Sequence, residues 1–213
     1  MYKYVLMAAI CYLVTTPNLN AQAYQTRGEY NRLGIQGKYV LYDILTDDLD
    51  LTAEGGPQVG LAARGRFFNQ WGLIYGVDFF TVNFEVQDEA QNDLDYNLIG
   101  VQLNLWPSYN IIEEHLSIEA GPTLQVNSNL RLRGSGQGDT VIDSSSNLTA
   151  SSLQEISRVL PLVGVGISGG FKRVFFTLQY QFGFTNIFGG LDSQNIDING
   201  NVSAISGGII VMI

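Results

Sequence analysis

The chain has 213 residues, of which 46% are apolar, 11% aromatic and only 15% charged, with 24 glycines and a formal charge of −9. Eleven Lys and Arg against twenty Asp and Glu do not supply the clustered positive charge that phosphate backbones demand, so no nucleic-acid partner is expected. A single cysteine, Cys11, and a single histidine, His115, exclude a disulfide framework, a thiolate zinc site and a multi-histidine cluster, and no residue pattern assigns a cofactor.

Residues 1–23 read as a secretory signal peptide: Lys3 precedes the apolar run Val5 to Val14, and Ala21-Gln22-Ala23 supplies the small-residue cleavage site. The run is too short for a spanning helix, which needs roughly twenty residues. Ile10 stands before Cys11 where lipoprotein processing wants a small residue. The mature chain then starts at Tyr24, with 24–32 as a periplasmic N-terminal segment and 33–213 as one barrel domain.

From residue 33 onward the chain breaks into segments of period-two alternation, which places one residue class on each face of a strand. In 33–42, Leu33, Ile35, Tyr39 and Leu41 oppose Gln36 and Lys38. Segments 58–68 and 71–84 follow, the second with bulk on both faces at Phe79-Phe80 and Val82 to Phe84. In 97–106, Ile99, Val101, Leu103 and Leu105 oppose Leu98, Gly100, Gln102 and Asn104. The clearest pattern is 116–127, with Leu116, Ile118, Ala120, Pro122, Leu124 and Val126 against Ser117, Glu119, Gly121, Thr123, Gln125 and Asn127. In 159–168, Val163, Val165 and Ile167 oppose Gly164, Gly166 and Ser168; in 173–185, Val174, Phe176, Leu178, Tyr180, Phe182 and Phe184 form one row. Segment 202–213 completes eight. These lengths suit strands tilted across a ~30 Å hydrocarbon layer and exceed the usual soluble strand.

The connections alternate in length. Asn69-Gln70, Pro107 to Glu114 and Gly169 to Lys172 are short, whereas 43–57, 85–96, 128–157 and 186–201 are long. Short turns on one rim and long loops on the other are the layout of an eight-stranded antiparallel up-and-down transmembrane barrel. The long links carry fifteen of the twenty acids and only two bases, Arg131 and Arg133. A soluble eight-stranded carrier of an apolar ligand would invert the faces and line its cavity with the apolar row. Its water-facing row would be rich in Lys and Glu. Here the polar row is mostly Gly, Ser, Thr, Gln and Asn, which suits a narrow lumen.

Four stretches carry a family resemblance: Gln58-Val-Gly-Leu-Ala-Ala-Arg-Gly-Arg-Phe-Phe, Leu116-Ser-Ile-Glu-Ala-Gly-Pro-Thr-Leu, Val163-Gly-Val-Gly-Ile, and Phe176-Thr-Leu-Gln-Tyr-Gln-Phe-Gly-Phe-Thr-Asn-Ile. On these, residues 33–213 resemble the PorT-like outer membrane β-barrel family of Gram-negative bacteria. The chain departs from that pattern at Gly100, where many members have a proline, and at its end, Val211-Met212-Ile213, which lacks a terminal aromatic. The resemblance implies an outer membrane location and an accessory role in a secretion apparatus. It implies no catalytic residue.

His115, Ser117 and Glu119 stand at i, i+2 and i+4 of one segment, and His-x-Ser on a barrel strand resembles the outer membrane lipid A deacylases. A serine nucleophile needs a base within hydrogen-bond reach, yet residues two apart on a strand are about 6.5 Å apart. Rim histidine beside lumen polars is the plainer reading, and no residue is assigned as catalytic, cofactor-binding or metal-binding. Lys38, Arg64, Arg66, Asp78 and Glu119 are expected to point inward, where opposite charges must pair. Eight strands leave room only for side chains, so no pore is expected. Asn195-Ile-Asp-Ile-Asn-Gly200 lacks the opening Asp and closing Glu of a calcium loop and reads as a turn. The Ser-rich segment 134–152 reads as an irregular loop, with a helical turn within 148–156. Ten acids in 43–57 and 85–96 form either a hydrated surface or carboxylates bridged by divalent cations to one another or to lipopolysaccharide.

The leading expectation is a non-enzymatic outer membrane barrel with a structural or interaction role, its partners being membrane lipid, lipopolysaccharide and envelope or secretion-apparatus proteins, with no oligomeric state implied. A lipid A-modifying barrel using Ser117 and His115, and the soluble carrier, are the alternatives.

Overall fold

The computed structural model describes residues 32–213 apart from 47, 50, 89–91, 134–137, 144–147, 172 and 192–197. The expectations for residues 1–23 and 24–31, and much of the turn at 195–200, lie outside the described residues. Eight long strands make the fold: β1 (Arg32–Leu45), β2 (Gly55–Phe68), β3 (Trp71–Gln87), β4 (Asp93–Ile112), β5 (Leu116–Asn127), β6 (Val159–Phe171), β7 (Val174–Gly183) and β8 (Asn201–Met212). Each pairs antiparallel with its neighbour in sequence, and β8 returns to β1 from Gly34↔Met212 to Leu45↔Asn201, closing the ring. Closure leaves no long strand with an unpaired edge.

The outward faces are those the alternation predicts. Ile35, Tyr39, Leu103, Ile118, Leu124, Val165, Phe176, Leu178 and Ile209 are exposed, while Gln36, Lys38, Gln102, Ser117, Glu119, Thr123, Thr177 and Gln179 are buried. On β3 the outward row runs from Trp71 through Leu73, Tyr75, Val77 and Phe79 to Thr81, and no Asp, Glu, Lys or Arg interrupts it. With a rise near 3.3 Å and a tilt near 40°, that row is about 25 Å tall, the height of the outward apolar band of membrane barrels. Above it the same face turns polar: Asn83↔Asn97 and Glu85↔Asp95 are paired across β3 and β4.

At the short-turn rim two bulges put consecutive residues outside. The β2–β3 ladder shifts between Arg66 and Phe68 and the β4–β5 ladder between Asn110 and Ile112, exposing Phe67 with Phe68 and Ile111 with Ile112. Trp71 and Tyr109 meet edge to face at 5.2 Å there, and the Tyr109 hydroxyl donates to Gln70 Oε1.

Three expectations are corrected. The link expected at 107–114 is strand as far as Ile112, followed by the turn 113–115. Pro107 is tolerated because the β4–β5 ladder lapses between Asn104↔Thr123 and Ser108↔Glu119, where no amide is needed. The links expected at 43–57 and 85–96 shrink to 46–54 and 88–92, so Asp43, Glu85, Asp93 and Asp95 stand on strand extensions beyond the apolar belt. The short strand Leu51–Ala53 adds to β3 at that level, and Arg131–Leu132 adds to β4.

The third correction concerns the lumen, which is polar only in its short-turn half. Towards the loops, inward Tyr42, Phe80, Val82, Phe84, Leu94, Tyr96, Leu98 and Leu162 form an apolar core. The two longest links fold into it through Leu130, Leu148, Leu153, Ile156, Ile187, Phe188 and Leu191, all buried. Bulk on both faces of 71–84 therefore has a cause: Phe79 faces out, whereas Phe80, Val82 and Phe84 pack beneath the loop plug. The turn expected within 148–156 is a 3-10 turn at Ser152–Gln154 that sets Leu153 into this core.

Candidate functional site

The polar half of the lumen concentrates the buried chemistry. Lys38 on β1 donates to Asp78 Oδ2 on β3 at 3.0 Å and to Gln179 Oε1 on β7 at 3.2 Å. Asp78 also accepts from Gln36 Nε2 at 2.6 Å and from Asn104 Nδ2 at 2.8 Å. The Lys38–Asp78 pair thereby links four strands, β1, β3, β4 and β7. Nearer the short turns, Arg64 Nη2 lies 2.6 Å from Glu119 Oε1 and 3.0 Å from Ser117 Oγ, and its guanidinium stacks over Phe175 at 4.8 Å. At the mouth Arg66 meets Glu113 at 2.6 Å. Lys38, Arg64, Arg66, Asp78 and Glu119 all turn inward as the sequence predicts, and the charges are paired.

Above this sits a ladder of amides. Gln58 Nε2 donates to Gln102, Gln102 Nε2 to Gln125, and Gln125 Nε2 to the Tyr42 hydroxyl at 2.7 Å and to Asn127 Oδ1 at 2.8 Å. Asn127 Nδ2 donates in turn to the Ser157 carbonyl at 3.2 Å, joining the ladder to the loop plug. Trp106 fills the centre, its Nε1 donating to Thr123 Oγ1 at 3.0 Å. Gly164 makes that possible, because a Cβ there would overlap the Trp106 ring. The small lumen residues of β6 are small because a tryptophan faces them.

The loop end is fastened by named contacts. Asn186 holds the turn after β7: its Oδ1 accepts from the Phe188 and Gly200 amides at 2.9 Å each, and its Nδ2 donates to the Ile198 carbonyl at 2.7 Å. The Tyr96 hydroxyl donates to the Ala150 carbonyl at 3.0 Å, and burial pushes its pKa well above the ordinary tyrosine value. Asp48 Oδ2 accepts from the Asn199 amide at 2.9 Å, and Asp88 Oδ1 from the Asn92 amide at 2.8 Å. Part of the acidic rim thus holds turns together. Glu85 stands beside Glu54, Asp93 and Asp95, and its carboxyl is pushed up, first by desolvation and then by those charges. Among the described residues no group of three or more His, Cys, Asp or Glu is placed to hold a metal ion.

His115, Ser117 and Glu119 do not come together as a triad. Glu114 takes a left-handed φ of 62°, and the turn swings His115 out of the β5 face. The ring lies exposed against Phe171 at 5.7 Å, with Nδ1 2.7 Å from the Glu113 carbonyl oxygen. Ser117 is buried inside and bound by Arg64 and Glu119. The i, i+2, i+4 spacing assumed that all three residues lie on the strand, which begins only at Leu116.

No family model matches the chain, and no curated protein matches it significantly. Solved structures similar to it include Neisserial surface protein A, at 12% identity and a TM-score of 0.54 over 85% of this chain and 97% of that one. Ail, the attachment invasion locus protein of Yersinia pestis, solved in complex with the heparin analogue sucrose octasulfate, matches at 14% identity and a TM-score of 0.49 over 86% and 99%. The outer membrane protein OprG from Pseudomonas aeruginosa matches at 12% identity and a TM-score of 0.44 over 86% and 94%. The likeness to the Neisserial protein shows a shared fold, the eight-stranded antiparallel barrel.

Proposed function

We propose that the protein is a non-enzymatic barrel of a Gram-negative outer membrane, exported by a signal peptide at 1–23, that serves as a rigid and non-conducting structural or interaction platform. Its loop end faces the cell exterior, and its short turns and N-terminal segment face the periplasm. One observation carries this reading: a charge-free apolar belt outside encloses a lumen occupied by paired charges, an amide ladder, Trp106 and a loop plug. A soluble carrier needs the opposite, an empty apolar interior and a charged exterior. The resemblance of residues 33–213 to PorT-like barrels supports an accessory role beside envelope or secretion-apparatus proteins. Acids at the loop end supply a hydrated face for such contacts, with lipid and lipopolysaccharide around the belt.

Refolding into lipid vesicles and fusion with a planar bilayer test this directly. The protein is expected to float with the vesicles and to give no unitary conductance steps. Recovery as a detergent-free soluble species, or stepwise conductance, would contradict the reading.

A further inference from the structure

We propose that a groove between the two longest links, with Arg158 in its wall and Arg131 two residues along the chain from its Asn129, holds the phosphate-bearing headgroup of a membrane lipid from the leaflet on the loop side. This rests on the membrane placement proposed above and adds a ligand and its residues. The groove is about 440 Å³ and is lined by Asn129, Glu155, Ser157, Arg158, Gly189 and Gly190. Its Arg158 wall continues down the β5–β6 ladder into the apolar belt: the next outward pair is Val126↔Val159, both exposed, followed by Leu124↔Pro161. A headgroup seated in the groove leaves its acyl chains along that ridge.

Charge selects an anion. Arg131, Arg133 and Arg158 are exposed and none forms an ion pair with a described residue. Arg131 stands beside outward Asn97, one rung above the apolar row. Arg131 and Arg158 lie on the β4–β6 side, whereas Glu54, Glu85, Asp93 and Asp95 crowd the β2–β4 side; Arg133 stands at the boundary, its amide donating to the Asp95 carbonyl at 2.7 Å. A guanidinium offers phosphate two parallel N–H donors, and bases at a membrane surface draw anionic headgroups.

The groove is built before any ligand arrives. Leu130 and Ile156 are buried beneath it, and the Leu130 amide donates to the Gln154 carbonyl at 3.1 Å. Ser157 donates its amide to the Ile187 carbonyl at 2.7 Å and its hydroxyl to the Asn186 carbonyl at 2.9 Å. The Arg158 carbonyl accepts from the Asn127 amide at 2.8 Å. A Cβ at Gly190 would stand 2.5 Å from the Glu155 carbonyl oxygen, so glycine lets the two links close around the site. Little ordering remains to oppose binding.

Native mass spectrometry of the full chain in detergent tests this, with dilauroyl phosphatidylglycerol and dilauroyl phosphatidylcholine offered together. Retention favouring phosphatidylglycerol by about fivefold is expected, falling below about twofold in Arg131→Gln/Arg158→Gln. Arg173→Gln, which removes a base at the short-turn end, should leave the preference intact. Equal retention of the two lipids by the unaltered protein, or an undiminished preference in the double variant, would overturn the proposal. Free glycerol 3-phosphate in large excess separates the sources: it should not displace the lipid, and complete displacement would assign the groove to a soluble phosphate instead. Vesicle flotation of the same preparation keeps the two readings apart, since a barrel that floats without lipid preference loses the headgroup site and keeps its membrane placement.

Discussion

Lys38 Nζ lies 3.0 Å from Asp78 Oδ2 inside the lumen, with the two side chains 1% and 0% exposed. A pair so dry is stabilising only as a pair, because either charge alone would be stranded without solvent. Asp78→Asn is therefore expected to cost about 3–5 kcal/mol, and Lys38→Met/Asp78→Asn to recover part of that loss. Denaturant titration in vesicles, read by the shift between folded and unfolded bands on gels, measures both. Losses that simply add would show that the two side chains do not depend on each other.

Trp106 and Gly164 share one space across the lumen. Gly164→Ala should overpack that layer and cost about 1–3 kcal/mol, and Trp106→Phe in the same chain should return some of it. Near-ultraviolet circular dichroism gives a second readout, since the buried indole signal should weaken in Gly164→Ala. An unchanged spectrum and midpoint would mean that the tryptophan does not fill the lumen there.

Glu85 yields a pH dependence at the loop end. Its pKa is raised in the folded state, so folding favours the protonated form. The stabilisation from that protonation is present at low pH and lost as pH rises through the raised value. Amide exchange in the β3–β4 extension, corrected for intrinsic rates, should slow as pH falls from neutral into the carboxylate range. Glu85→Gln should give slow exchange at neutral pH and flatten the dependence. A Glu85→Gln variant that exchanges as fast as the parent at neutral pH would rule out this origin.

Ser117 is expected to act structurally. Ser117→Ala removes a hydroxyl that accepts from Arg64 and should cost roughly 1–2 kcal/mol of stability. Lipid A from cells carrying Ser117→Ala or His115→Ala should match that from cells with the parent protein. A deacylated species that depends on Ser117 would revive the enzymatic alternative.

The outward faces were legible in the sequence because a closed ring with an exposed apolar exterior imposes one rule on every strand, and Leu178 or Ile118 obeys it without reference to any other residue. The charged lumen pairs were legible for a similar reason: Lys38, Asp78, Arg64 and Glu119 fall on inward positions where only pairing is tolerable. Which partner each chooses depends on register around the ring, and that is a property of the closed barrel. Phe80, Val82 and Phe84 resisted reading because their neighbours, Leu153 and Phe188, come from links whose fold the alternation does not encode. The place of His115 is not legible in the sequence, since the left-handed backbone at Glu114 that ends the turn before Leu116 carries no pattern in a lone Glu. The groove beside Arg158 is not legible in the sequence because its walls, at Asn129, Ser157 and Gly190, come from two links far apart in the chain.

Cysteine labelling at neighbouring positions of β7 tests the central claim most directly. Leu178 is 56% exposed on the outward face and Gln179 is 7% exposed in the lumen. The chain's single natural cysteine is Cys11, so in a chain starting at Tyr24 an introduced thiol is the one cysteine. In vesicles, Leu178→Cys should react with a membrane-soluble maleimide and resist a water-soluble one, and Gln179→Cys should resist both until the barrel is unfolded. Reaction of Leu178→Cys with the water-soluble reagent in intact vesicles would contradict a lipid-facing belt around a filled lumen.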